Sequence, residues 1–150
     1  MKKTIAFIIL FALLLSPISC KSEPNAYKML SEFVSAYGAD GIIYSPTIEE
    51  GNDGYIRAGL VESIYLFSGN FPENYAILLN ARTDLSSECG LFVCTDAEML
   101  GAVEEMCIER IKLICQGDSR AFIKQSGEIL FYSTMQDRER AEKIFNEIIR

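Results

Sequence analysis

The chain has 150 residues, with 14 Lys and Arg against 21 Asp and Glu, no histidine and a formal net charge of −7. That acidity argues against nucleic-acid partners, which need a basic footprint. The missing histidine removes the usual general base near neutral pH, the commonest zinc ligand and any His-dependent triad within one chain.

Lys2 and Lys3 precede an apolar run, "TIAFIILFALLL", and Ser16, Pro17, Ile18, Ser19 and Cys20 follow. A positive start, a short apolar stretch and a small residue before a cut read as an export signal. The run is shorter than the roughly 20 apolar residues of a membrane span, and Pro17 breaks a helix there. Ser19 before Cys20 reads as the cleavage point of a bacterial lipoprotein with lipid on the Cys20 thiol; plain secretion is the alternative. The expected organisation is a signal peptide at 1–19, a lipid-anchored spacer at 20–26 and one domain at 27–150. Without Lys2 and Lys3, 12 Lys and Arg stand against 21 Asp and Glu over 131 residues, a net charge of −9. Anionic lipid repels such a surface, so the N-terminal acyl chains must hold the domain to the bilayer.

The polar "KSEPN" leads into a helix expected over 24–37, with Pro24 in its first turn. Tyr27, Leu30, Phe33, Val34 and Tyr37 form its apolar face, and Gly38 stops it. Residues 39–58 read as loop with a short strand at Ile42 to Tyr44. A short helix is expected from Leu60 to Phe67, with Leu60, Ile64 and Phe67 on one face. "NYAILLNAR" (74–82) and "CGLFVCT" (89–95) read as strands, the second apolar on both faces and hence central. Thr95 and Glu98 match a capping box. The helix behind it aligns Leu100, Val103, Cys107, Ile111 and Ile114, widened by Met99, Met106 and Leu113, and ends at Gly117. "AFIKQ" (121–125) and "EILFYST" (128–134) form a hairpin across Ser126 and Gly127. Thr134 and Asp137 repeat the capping signal before a last helix at 136–149, whose stripe is Ala141, Ile144, Phe145, Ile148 and Ile149. This order predicts an α+β fold: a small, largely antiparallel sheet with helices on one face, a two-layer sandwich.

The signal with Cys20, "ENYAILLNAR", "ECGLFVCTDAEMLGAVEEMCIERIKLI" and "SGEILFYSTMQDRERAEKIFNEI" together resemble a domain-of-unknown-function family of small lipoproteins from Firmicutes, especially clostridia. The resemblance covers most of the mature chain as a pattern of apolar segments. It implies an envelope protein of a Gram-positive bacterium and carries no catalytic residue across.

No dinucleotide-binding, Walker A or zincin motif occurs. Besides Cys20 there are Cys89, Cys94, Cys107 and Cys115, which read as small buried hydrophobes or as a disulfide framework. Cys107 and Cys115 lie about 12 Å apart on one helix, and Cys89 and Cys94 sit at opposite ends of one strand. Only a strand-to-helix bridge is therefore open to them. The loop "TIEEGNDGY" offers Glu49, Glu50, Asn52 and Asp53, a solvated turn or a weak calcium site off the EF-hand spacing. Pairs such as Glu49 with Asp53, or Glu104 with Glu105, are the only visible acid–base candidates. Arg57, Arg82 and Arg110 are the candidate anion or salt-bridge cations, Arg110 at the apolar border of its helix. Three functions follow. The first is a non-catalytic, membrane-tethered binding or accessory module on the outer face of the cell membrane, without cofactor or metal. Its partners would be the bilayer and an envelope protein. The alternatives are a carboxylate-dependent envelope hydrolase and a thiol or redox protein.

Overall fold

A computed structural model describes residues 23–79, 87–116 and 119–150. The elements in chain order are α1 (Ala26–Tyr37), β1 (Ile43–Tyr44), α2 (Ala58–Tyr65), β2 (Asn74–Leu78), β3 (Cys89–Val93), α3 (Ala97–Cys115), β4 (Phe122–Ser126), β5 (Ile129–Ser133) and α4 (Arg138–Ile148). The strands form one five-stranded sheet in the order β1-β2-β3-β5-β4, antiparallel throughout. The α+β class, the antiparallel sheet and the helices packed against it are as the sequence predicts.

The helices are divided between two faces, so the expected single helical layer becomes two. Ala76, Leu78, Cys89, Leu91 and Phe131 point to one side, into a core closed by α1 and α4. Tyr75, Ile77, Phe92, Leu130 and Tyr132 point to the other, into a core closed by α2 and α3. Alternation along a strand sends successive side chains to opposite faces. Central strands buried on both faces therefore read as unbroken apolar runs, which is how "YAIL", "LFV" and "ILFY" look. On the first face Phe131 stacks on Phe145 at 4.5 Å and meets Phe33 at 4.8 Å between ring centroids.

Local sequence sets the helix ends, with three shifts from expectation. Asn25, not Pro24, starts α1, and its side chain accepts from the Lys28 N–H at 2.8 Å. Asp96, not Thr95, caps α3 by accepting from the Met99 N–H at 2.8 Å. Asp137, not Thr134, caps α4 by accepting from the Arg140 N–H at 3.0 Å. A carboxylate accepts more strongly than a hydroxyl and also complements the helix dipole. Thr134 is engaged instead with Glu88, whose N–H donates to its Oγ1 at 2.8 Å.

The predicted faces of α2 and α3 pack on the second core through Ile64, Phe67, Leu100, Val103, Cys107 and Ile111, with one exception in each helix. α2 buries Val61 and Tyr65 and leaves Leu60 exposed. α3 buries Met99, Val103, Met106 and Cys107, while Leu113 is 60 % exposed. Both surfaces face each other beside the second core, and the geometry of their meeting defines the site below.

Gly90 sits opposite Ile77 and Tyr132 in the sheet. A Cβ at Gly90 would lie 2.6 Å from the Tyr132 ring and 3.2 Å from Ile77. The missing side chain is the room that the Tyr132 ring occupies. Gly90→Ala is expected to destabilise the domain by about 1–3 kcal/mol through overpacking, read as a lowered denaturant midpoint.

Candidate functional site

Glu88 immediately precedes β3 and shares a face with Gly90 and Phe92, so strand alternation turns its carboxylate toward α3. There it meets Arg110 in a bidentate pair: Nη2 to Oε1 at 2.6 Å and Nε to Oε2 at 3.0 Å. The Glu88 side chain is 1 % exposed and that of Arg110 14 %. Arg110 Nη1 also donates to the Ile64 carbonyl at 3.2 Å, and the guanidinium lies 5.5 Å from the Tyr65 ring centroid. One cation therefore ties α3 to both β3 and α2.

Two tyrosines complete the network. The Tyr65 and Tyr132 hydroxyls are 2.6 Å apart, and the Tyr132 hydroxyl lies 3.4 Å from Glu88 Oε2. An ionised carboxylate only accepts. Tyr132 therefore donates to Glu88 and Tyr65 donates to Tyr132. Burial pushes both phenols well above their ordinary pKa, more than the surrounding groups alter it. Burial pulls the Arg110 pKa down, but the hydrogen bonds and charge of Glu88 outweigh it, and the net direction is up.

Against this network lies a groove of about 740 Å³ between the C-terminal end of α2 and the outer face of α3. Tyr65 and Met106 line it together with Leu66, Phe67, Glu109 and Leu113. Leu66 is the unusual residue. It ends α2 in the left-handed region, at φ 54, where a Cβ is strained and glycine is the ordinary choice. It is also 84 % exposed. Leu66 thus combines a large apolar side chain, a left-handed backbone and nearly full exposure at the lip of the groove.

The other sequence candidates do not gather here. Arg57 is an exposed N-cap residue of α2 that makes no capping bond through its side chain. Arg82 and Cys20 lie outside the described residues. Glu49, Glu50 and Asp53 are exposed, and among the described residues no group of three or more His, Cys, Asp or Glu is placed to hold a metal ion. Glu104 and Glu105 are neighbours on α3, and adjacent helical residues do not face each other. They form no acid–base pair. Cys89, Cys94, Cys107 and Cys115 are all buried and free, so the strand-to-helix disulfide does not form. Burial, with Asp96 adding to it, pushes the Cys94 thiol to about 11. Burial drives Cys89 and Cys107 upward too. Protonated, enclosed thiols are poor nucleophiles. The sequence placed Arg110 at a core border and Tyr65 and Tyr132 among tyrosines of the core or its rim, but it did not link them and did not single out Glu88 or Leu66. The available signal was a glutamate abutting an apolar strand, two residues from a glycine.

No family model, curated protein or solved structure matches the chain.

Removing one member of a buried ion pair strands the other. Glu88→Gln is therefore expected to cost about 3 kcal/mol. The double change Glu88→Leu with Arg110→Met should cost less than the sum of the single changes. Chemical denaturation of the four proteins of the cycle measures both.

The raised thiols and phenols also set an alkaline limit. Each is protonated in the fold above the pH at which the unfolded chain ionises, about 9 for a thiol and about 10 for a phenol. Stability is therefore full below about pH 9. It falls as pH rises through about 11 for Cys94 and about 12 for Tyr75, whose hydroxyl is raised chiefly by burial. Unfolding midpoints across that range should decline monotonically. Alkylation of the four described thiols at pH 8 should proceed only after denaturant is added.

Proposed function

We propose that the chain is an envelope lipoprotein whose folded domain is a non-catalytic binding or accessory module. It is cleaved before Cys20, acylated there and held on the outer face of the cell membrane, as its resemblance to small clostridial lipoproteins implies. The single observation that carries the binding reading is the α2–α3 groove with Leu66 strained and exposed at its lip. The chemistry beside the groove supports the same reading. Glu88, Arg110, Tyr65 and Tyr132 beside it are bound to one another, and of the two carboxylates that line it Glu109 is paired with Lys112. Among the described residues Glu105 alone lines the groove without an ion-pair partner, and one carboxylate is not a catalytic pair.

The anchor agrees with the outline of the fold. The helical domain begins at Asn25, so only a few residues separate it from Cys20. No helix among the described residues is long and apolar enough to cross a membrane. One acyl chain binds a bilayer only marginally, so a second or third chain is part of the proposal.

The mature protein in a membrane fraction is expected to start at Cys20 with the added mass of its acyl groups. Cys20→Ser should shift it to the soluble fraction or the medium. Intact-mass measurement and fractionation decide between this and plain secretion, which would show an unmodified, freely released chain. Turnover of a wall polymer by the purified protein, lost on changing one or two carboxylates, would replace the binding module with a hydrolase.

A further inference from the structure

We infer that the domain turns one end of its sheet to the bilayer, the end that holds Asn74, Val93 and Ile129, and that the α2–α3 groove lies toward the opposite end, away from the lipid. The inference rests on the N-terminal anchor proposed above. Asn74 fixes where the chain enters the fold. Its side chain accepts from the Ala26 N–H at 3.0 Å and donates to the Pro24 carbonyl at 2.7 Å. Asn74 pairs with Val93, Val93 with Ile129 and Ile129 with Ser126, so β2, β3, β5 and β4 all have an end here. The Cys94 N–H donates to the Glu128 carbonyl at 2.8 Å, which brings the start of α3 to the same place. Cys20 precedes Asn25 by five residues, and a stretch of that length reaches about 17 Å when fully extended. The 19 residues of α3, which run from this end toward the other, rise about 28 Å. An inverted domain, with Cys89 and Ser133 nearest the headgroups, is therefore beyond the reach of the tether.

Charge adds a stand-off. Glu23, Glu73, Asp96, Glu98 and Glu128 are exposed at this end, and among the described residues none of them forms an ion pair. β1 runs toward the same end, so the loop after it adds Glu49, Glu50 and Asp53 against Arg57. The other cations here are Lys28, in the first turn of α1, and Arg150 beyond α4, with Glu147 three residues before it. Carboxylates thus outnumber cations on the surface nearest the lipid. Anionic headgroups repel such a surface over a screening length of about 8 Å at physiological salt. The opposite end carries both signs, with Arg138 and Arg140 beside Asp137 and Glu139. The groove belongs to that half of the domain, because Arg110 in its lining reaches Glu88, which precedes the far end of β3.

The chain has no tryptophan, so a single one introduced at a chosen site reports its height above the lipid. The full, unprocessed chain, made cell-free, is coupled through the Cys20 thiol to a maleimide-bearing lipid in vesicles. The four described thiols are buried and do not compete. Coupling imposes the anchor, so a cell that does not acylate Cys20 shows in the fractionation above and not in this experiment. Energy transfer to a dansyl headgroup should be stronger from Gln125→Trp, exposed near this end of β4, than from Gln136→Trp, exposed at the opposite end. Transfer from the first reporter should be weaker on vesicles containing phosphatidylglycerol than on phosphatidylcholine alone. That difference should vanish at about 1 M salt, where the screening length shrinks to about 3 Å. Glu73→Lys combined with Glu128→Lys should reverse its sign. The unfolding midpoint should hold, since both carboxylates are exposed and neither is in an ion pair among the described residues. Equal or stronger transfer from the second reporter would overturn the orientation. Transfer from the first reporter that ignores lipid charge in both proteins would overturn the stand-off.

Discussion

The buried pair between Glu88 and Arg110 is the constraint on which the α2–α3 half of the domain depends. A carboxylate almost wholly out of water is tolerable only with its charge answered and its oxygens filled. The fork of Arg110 does both, and Tyr132 adds a third contact. Each partner comes from a different part of the fold: the residue leading into β3, α3, β5 and, through Tyr65 and the Ile64 carbonyl, α2. The position of α2 on the sheet is therefore tied to the rotation of α3 about its own axis. Leu113, one turn beyond Arg110, stays 60 % exposed in the groove lining, an apolar edge on a helix that otherwise has a well-formed buried face.

The two faces of the sheet solve different problems. Under α1 and α4 the core is built of aliphatic and aromatic side chains, with Phe33 and Phe145 both packed on Phe131. Its polar ties lie at the rim, such as the Asp137 N–H on the Tyr37 hydroxyl. Under α2 and α3 the core holds an ion pair and two linked phenols, and it abuts the groove. A directional network fixes position more tightly than apolar contact alone, because each donor and acceptor accepts few alternatives. Leu66 and Leu113 line the groove beside that network. The same burial that holds the network keeps the nearby thiols protonated, which sets them apart from redox-active cysteines.

Much of the architecture was legible in the residues alone. Alternating and helical periods identified the helices, the central strands and the second hairpin, because burial of one stripe or face imposes those periods on any sequence. Gly38 marked the end of α1 because a left-handed cap favours glycine. The caps of α3 and α4 were placed one and three residues early, since Thr95 and Asp96, or Thr134 and Asp137, all suit the position locally. Only the wider hydrogen-bonding context, such as Thr134 being engaged with Glu88, decides which one serves.

The sequence by itself determined the class of the fold, the acidity of the surface and the lack of a histidine- or motif-based chemistry, because each follows from composition or local spacing. Tertiary structure decided the rest. Whether helices cover one face or both depends on where α2 and α3 dock, and an apolar run such as "ILFY" is compatible with either. On α2, Ile64 and Phe67 pack against the second core as their spacing predicts, but Val61 and Tyr65 are its fully buried residues and Leu60 is exposed, a distinction that apolarity alone does not make. Tyr65 is held inward by its hydroxyl contact with Tyr132 on the same face of the sheet. The partner of Arg110 lies 22 residues away. A contact of that range has no signature in local spacing, since it arises only when β3 and α3 fold back on each other.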